Sequence, residues 1–599
     1  MSYKACFSSS STSSALHRFL TDSPQQLQSG GWFSQRHCRR SRPLVSLSSS
    51  SSLLSSSSLL FSSSVSSSDH SIDSTLDGLS TTTTTTVASN VDDTNEETSE
   101  EQRRVSSKFV PYPFSYRHEL DVEIESLTNR GWGVARVALP HDNNDSHEAG
   151  PPQTNEKNNT LTPRLWVVMV PFVIPGERVK VRIFRNYATY SEADMVEILH
   201  PRADDNDDRV TPPCRWFGIC GGCQYQHMSI ALQRHWKRRH VQDALCQYGL
   251  DTYFAVESVR PTLGTDQVYG YRSKLTPHYQ APTSSRRGRK RQNQQTSSKN
   301  NNNDDDDENN SNSSIQAIGF QKLTSRQLVD VEHCPIATDA INAKYASVRQ
   351  ELLYPSSSQK EQEANESNKK KKKKALGATL LLRQANPDDV HVTTRHADAL
   401  TTRVLDLQFT YLAGNFFQNN YYVVPLMVQA VIDAAVAPAR SEGGPRKMTH
   451  LVDCYCGSGL FAVSAAAHFD VVRGIEINHQ AVAEATRNAQ QNDLTNCEFL
   501  SASSEAIFEQ IQDFDRSSTV VVLDPPRKGC SADFIQQLLD FAPQRIVYMA
   551  CDATTQARDV KDLIGDNQQY AVTSVQPFDL FPQTRHIECL VVLEKQTNR

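Results

Sequence analysis

No run of 18 or more apolar residues occurs anywhere in this 599-residue chain, which excludes a helical membrane protein. Apolar residues are scarce overall, 38% against a usual ~45–50%, and the mean hydropathy is -0.54. The length exceeds what one hydrophobic core supports, so roughly two to four domains are expected, with polar tracts between or within them. Acids are nearly missing from the start: through residue 68 only Asp22 stands against six Lys or Arg, among Ser blocks around 47–68. That composition fits a mitochondrial or plastid transit peptide, and equally a solvated tail on a cytoplasmic or nuclear protein. No excess of one charge sign exists, with 62 Lys+Arg against 68 Asp+Glu and a net charge of -6. A uniformly basic nucleic-acid coat is thereby excluded, though a local basic cleft is not. The 13 cysteines are scattered, unlike the dense framework of a small secreted domain. Reduced thiols are expected, with any cluster among them metal-binding or catalytic.

The polar tracts are a leader over 1–105 and inserts near 141–160, 283–314 and 355–376, the last two carrying the basic runs RRGRKR and Lys369–Lys374. Strand-like text resumes after each insert, so they read as extended surface loops, and the basic runs as solvated charge, with nuclear-localisation or RNA-contacting tails the alternative. Three foldable pieces remain. Residues 108–202 alternate, as in LDVEIESL and GWGVARVAL, and predict a small all-β barrel. Residues 203–415 form a mixed α+β middle. Residues 416–599 alternate apolar strand runs with helical periods and predict a parallel α/β sheet.

The chemistry concentrates in this last piece. LVDCYCGSGLF is a buried strand entering a turn at Gly457 and Gly459, where the backbone can approach a ligand closely. The next strand ends in Glu476, 23 positions after Asp453, placed to accept ribose hydroxyls of an adenosyl ligand. The pyrophosphate fingerprint G-x-G-x-x-G is missing, so the ligand is nucleoside-like, with S-adenosylmethionine the natural candidate; an ordinary turn beside a surface Glu is the alternative. VVVLDPPRKG ends a strand in Asp524 before two prolines that forbid immediate helix. RIVYMAC sets Cys551 at a strand end before a predicted helix, whose N-terminal dipole is expected to lower the thiol pKa. Glu588, beside His586, enters the last strand where a carboxylate can accept a proton.

FFQNN (416–420), DCYCGSG, GIEIN, LDPPRKG, YMAC and FPQTRHIE stand in an order and approximate spacing that resembles the RNA uracil-C5 methyltransferase family, over nearly the whole ordered chain. The resemblance implies a Rossmann-like class I methyltransferase domain making 5-methyluridine in tRNA or ribosomal RNA. It also implies Gln418, Tyr455, Glu476 and Asp524 around S-adenosylmethionine, with the glycines of the turn, Cys551 as nucleophile and Glu588 as base. Where the family usually reads Ser-Cys-Asn-Pro, this chain has Ala550, Cys551, Asp552 and Ala553, so an extra acid is expected to oppose thiolate formation.

In the middle piece, Cys214, Cys220 and Cys223 have x5 and x2 gaps, and Cys334 stands apart in VEHCPIA. Four such thiolates suit a [4Fe–4S] cluster better than the paired knuckles of structural zinc, and the spacing resembles that of the cluster-bearing ribosomal RNA subgroup. QYQHM, YGYRSK and QRHWKRRH interleave aromatics with basic residues and read as a surface for phosphate contact and base stacking. The N-terminal barrel is similar to the TRAM domain, an OB-like RNA-binding module. The expected protein is a monomer acting on single-stranded or loop RNA, whose target base leaves its stack. A non-catalytic RNA-binding factor would not need both Cys551 and Glu588. A radical S-adenosylmethionine enzyme would use a C-x3-C-x2-C loop, against the first gap of five here.

Overall fold

A computed structural model describes residues 112–139, 165–202, 207–279, 315, 317–354, 378–439, 444, 446–503 and 506–596. The chain divides into two units, Met1–Val91 and Asp92–Arg599, and all described residues lie in the second. The leader and the three inserts fall outside the described residues. Among the described residues no helix is long and apolar enough to cross a membrane.

Strict alternation builds the first sheet. In Arg178–Asn186, Val179, Val181 and Ile183 point into a core shared with Val168, Val170 and Trp166, while Lys180 and Arg182 point outward. The sheet has six strands, in the order Glu119–Glu123, Arg178–Asn186, Tyr190–His200, Leu165–Pro171, Trp132–Ala138 and Ser126–Leu127. Its two outermost strands are consecutive in the chain. Only Ile124 and Glu125 separate them, and these donate to Glu177 O at 2.9 Å and to Val134 O at 2.8 Å on opposite edges. One bent segment thus pairs both edges of the sheet and leaves neither open.

The middle of the chain carries the helix Ile230–Gln247, capped by Ser229, whose hydroxyl accepts from Leu232 N. It also carries the helix Asp339–Leu353 and two small antiparallel sheets around Ile318–Gln321 and Leu382–Gln384. Here the structure differs from the sequence reading. Gln233, Lys237 and His240 of the basic run are buried, as are Tyr225, Gln226, His227 and Met228 of QYQHM. Lys237 Nζ donates to Asp579 Oδ1 at 2.5 Å and to Phe581 O at 3.0 Å, both partners at the pair being 0% exposed. Gln233 and Gln583 exchange two hydrogen bonds, and the Tyr271 hydroxyl donates to Pro582 O. Much of what reads as an RNA surface therefore clamps the segment 579–583, which leads to Glu588. Breaking a buried ion pair strands its partner charge, so Lys237→Met is expected to cost about 3–5 kcal/mol in urea unfolding. Adding Asp579→Leu should restore most of the loss, and a single-variant cost under ~1 kcal/mol would contradict the buried pair.

The C-terminal sheet has seven strands in the order Cys497–Ser501, Val471–Glu476, His450–Cys454, Thr519–Leu523, Arg545–Ala550, Glu588–Lys595 and Tyr570–Phe578. The first five are parallel, and Glu588–Lys595 runs antiparallel between its two neighbours, an addition to the purely parallel sheet expected. Thr519–Leu523 and Arg545–Ala550 are buried along their whole length, which is why they read as unbroken apolar runs. The core also extends beyond the expected boundary at 416. The hairpin Ala399–Val404 and Leu407–Leu412 shares it through Leu400, Val404, Phe409 and Tyr411, and Val241, Ala244 and Leu245 of the helix Ile230–Gln247 join the opposite face.

Candidate active site

Strand order reverses between His450–Cys454 and Thr519–Leu523, and the loops leaving their carboxyl ends open a crevice there. The chain turns sharply after the first strand, with Tyr455, Gly457 and Gly459 at φ of 64°, 55° and 85°. Asp453 beneath is buried; its Oδ2 accepts from Ala462 N at 2.8 Å and its Oδ1 has no partner among the described residues. Burial, together with Asp524 and Glu476, pushes its carboxyl up to about 8. Glu476 accepts from Gly457 N at 3.2 Å and from Asn478 N at 2.9 Å, so two backbone amides fix its orientation. Asp524 ends the neighbouring strand, its carboxyl pushed up to about 7 by burial. Gln418 is buried beside Asn420, whose side chain donates to Leu580 O and accepts from Tyr422 N. Three carboxyls and an unpartnered Asp453 oxygen around a Gly turn fit a ligand offering hydroxyl donors and a positive charge, as S-adenosylmethionine does. Glu476→Ala should weaken its binding by about 1.5–3 kcal/mol, measured by calorimetry.

Cys551 follows the strand Arg545–Ala550 and precedes the helix Ala553–Ile564. Its thiol pKa is not lowered as expected. Burial and the nearby Glu588 and Asp524 push it up to about 11, against the pull of a hydrogen-bonded Arg527. The helix amides that would have stabilised a thiolate are taken, since Asp552 Oδ1 accepts from Thr554 N at 3.0 Å and Thr555 N at 3.1 Å. The extra acid is thus a helix cap, and the like charges acting on the thiol are Glu588 and Asp524. Glu588 is 5% exposed. Burial and Asp524 hold its carboxyl well above the usual range, with Arg527 opposing. His586 is kept neutral, pushed down to about 4 by burial and by Arg585 and Arg527. Arg527 is the residue missed in the sequence, although it directly follows the Asp-Pro-Pro turn.

A family model described as tRNA (Uracil-5-)-methyltransferase matches residues 337–596. The tRNA (uracil(54)-C(5))-methyltransferase of Schizosaccharomyces pombe is 33% identical over 488 residues, spanning 81% of this chain and 79% of that protein. The chain belongs to the tRNA (uracil-5-)-methyltransferase family. The protein of the same name from Saccharomyces cerevisiae is 28% identical over 82% of this chain and 76% of its own length. A solved structure, Pyrococcus abyssi tRNA (uracil-54, C5)-methyltransferase with S-adenosyl-L-homocysteine, aligns at 18% identity and a TM-score of 0.49, covering 79% of this chain and 100% of that one.

This RNA uracil-C5 methyltransferase also brings its four spaced cysteines within electrostatic reach of one another. Burial pushes Cys223 up to about 12, with Cys334, Cys220 and Cys214 adding to it, and Cys334 up to about 11, with Cys220 adding to it. Their loops are tied down: Cys214 N donates to Gln226 Oε1 at 3.3 Å, and Cys334 N to Asn342 Oδ1 at 2.9 Å. Among the described residues no three His, Cys, Asp or Glu side chains are grouped to hold a metal ion.

Proposed function

We propose that the methyltransferase acts on uridine 54 of tRNA, with Cys551 as nucleophile and Glu588 as base. The observation that carries this reading is the convergence of Cys551, Glu588, Asp524 and Arg527 at one end of the crevice. Two relatives named as tRNA (uracil(54)-C(5))-methyltransferases, each aligned over more than four-fifths of this chain, support the choice of nucleotide.

Uracil C5 is a weak nucleophile. Addition of the Cys551 thiolate to C6 forms a C–S bond and moves the electron pair onto C5, with Arg527 favouring the thiolate form. S-adenosylmethionine, held by Gln418, Tyr455, Gly457, Gly459, Glu476 and Asp524, supplies the methyl group that C5 then takes. Glu588 next accepts the C5 proton, the C5=C6 bond re-forms, and Cys551 leaves as thiolate. Burial and Asp524 raise the proton affinity of Glu588, which suits it to take up the C5 proton.

Two finer assignments join this reading. The spacing of Cys214, Cys220, Cys223 and Cys334, together with the mutual influence of their thiols, supports a [4Fe–4S] cluster on these four residues. Anaerobically purified protein is expected to be brown, with about four irons, and to bleach on substitution of Cys220. The edge-paired N-terminal sheet supports a TRAM-like, OB-shaped module.

The deciding experiment maps 5-methyluridine by mass spectrometry in cytosolic and organellar RNA from cells lacking the protein. Loss at tRNA position 54 is expected. Loss confined to ribosomal RNA would overturn the substrate, and the compartment affected reports where the leader sends the chain.

A further inference from the structure

We propose that the outer wall of the Cys551 cavity binds the phosphodiester beside the target uridine, through Asn129 and Arg130 of the N-terminal sheet and Arg585 of the segment before Glu588. This rests on the reading that Cys551 meets the uracil, and adds where the flanking backbone is held. The cavity is lined by Asn129, His240, Arg527, Cys551 and Arg585 among others, so the N-terminal sheet and the central helix both contribute to a pocket whose floor is the methyltransferase sheet.

Local geometry fixes the contribution from the N-terminal sheet. Gly131 N donates to Thr128 O at 2.8 Å and Trp132 N to Thr128 Oγ1 at 3.1 Å, closing a turn with Asn129 and Arg130 exposed at its tip. The turn is docked, not tethered. Gly131, at φ 79°, lies so close to Tyr225 that a Cβ would come within 2.7 Å of the ring. His240 Nε2 sits 3.3 Å from Leu127 O.

Two further observations point to an anionic ligand. Among the described residues Arg130, Arg527 and Arg585 form no ion pair with a carboxylate. Burial, then Arg527 and Arg130, push the pKa of Arg585 down, while the nearby acid Asp552 already caps its helix. Separately, the buried Tyr225 Oη and His240 Nδ1, both beneath this turn, have no hydrogen-bond partner among the described residues. Facing guanidinium groups and unused polar atoms around a cavity are relieved by an anion, and the guanidinium fork matches a phosphate. RNA is the source the site selects, because a uracil that reaches Cys551 has left its stack, which costs a few kcal/mol unless the backbone is gripped on either side.

The test titrates wild type, Arg130→Gln and Arg585→Gln with an unmodified tRNA stem-loop containing the target uridine, over a salt series. Each variant should bind about ten- to hundredfold more weakly and flatten the slope of log affinity against log salt by about 0.7–0.9, one phosphate's worth. S-adenosylmethionine affinity should stay unchanged in both, which certifies the fold. Arg136→Gln, on the same sheet and paired with Glu125, should keep the wild-type slope. A stem-loop with a neutral methylphosphonate next to the target uridine should weaken wild-type binding about tenfold and Arg585→Gln no further. Wild-type slopes in both arginine variants, or indifference of the wild type to the methylphosphonate, would overturn the phosphate site. Capture of 5-fluorouridine RNA by wild type separates the two failures: with capture intact only the phosphate site falls, and with no capture the assignment of Cys551 falls and takes this one with it.

Discussion

Cys551→Ala is expected to abolish 5-methyluridine formation, by at least ~10⁴-fold, and to abolish covalent capture of 5-fluorouridine RNA. The addition to C6 is what makes C5 nucleophilic, and among the described residues no other thiol is placed to replace it. Burial pushes Cys530 up to about 12 and Cys589 well above the usual thiol range, and both side chains are buried. The same electrostatics give a pH dependence. With the Cys551 pKa near 11, about one molecule in 10⁴ carries a thiolate at pH 7. Below that pKa the thiolate fraction rises with pH, so alkylation of Cys551 by iodoacetamide, followed by mass spectrometry, should speed up about tenfold per pH unit from 7 to 9. Arg527→Ala removes a group that pulls the pKa down, and should slow alkylation at every pH in that window. Turnover surviving in Cys551→Ala would shift attention to Cys530 or Cys589.

The parts of the site carried by strand ends were legible, because a strand buried on both faces announces itself as an apolar run and the residue after it stands at the crevice. Asp524 and Cys551 directly follow such strands, whereas Glu476 is the last residue of the partly buried strand Val471–Glu476. The electrostatics were not legible in the same manner. Whether a thiol before a helix feels its amides depends on who caps the helix, and Asp552 does so here. Nor could the basic helix Ile230–Gln247 be told from an RNA surface, because the acid that buries Lys237 lies 342 positions away and periodicity carries no information about such partners. The hairpin Ala399–Val404 and Leu407–Leu412 was assigned to the middle piece for a related reason. Its alternation announces strands, but not which core its apolar face joins.

Glu588→Gln is expected to stop the reaction part-way, with RNA methylated at C5 and still bonded to Cys551, accumulating toward one adduct per protein and surviving denaturing electrophoresis. The amide matches the carboxyl in shape, so a side chain only 5% exposed keeps its packing. It cannot accept the C5 proton, however, and without that proton transfer the C5=C6 bond cannot re-form to expel the thiolate; release should slow by ~10²–10⁴-fold. Capture should not slow. Glu588 raises the Cys551 pKa, so an uncharged Gln in its place opposes thiolate formation no more than the carboxyl does. Capture at least as fast as in the wild type with blocked release distinguishes a base from a structural carboxyl, whose loss would slow both. Labelled methyl from S-adenosylmethionine should travel with the trapped RNA. A trapped RNA without the label would place Glu588 before methyl transfer. If no adduct accumulates at all, Asp524, whose carboxyl presses on the same thiol, becomes the base to replace next.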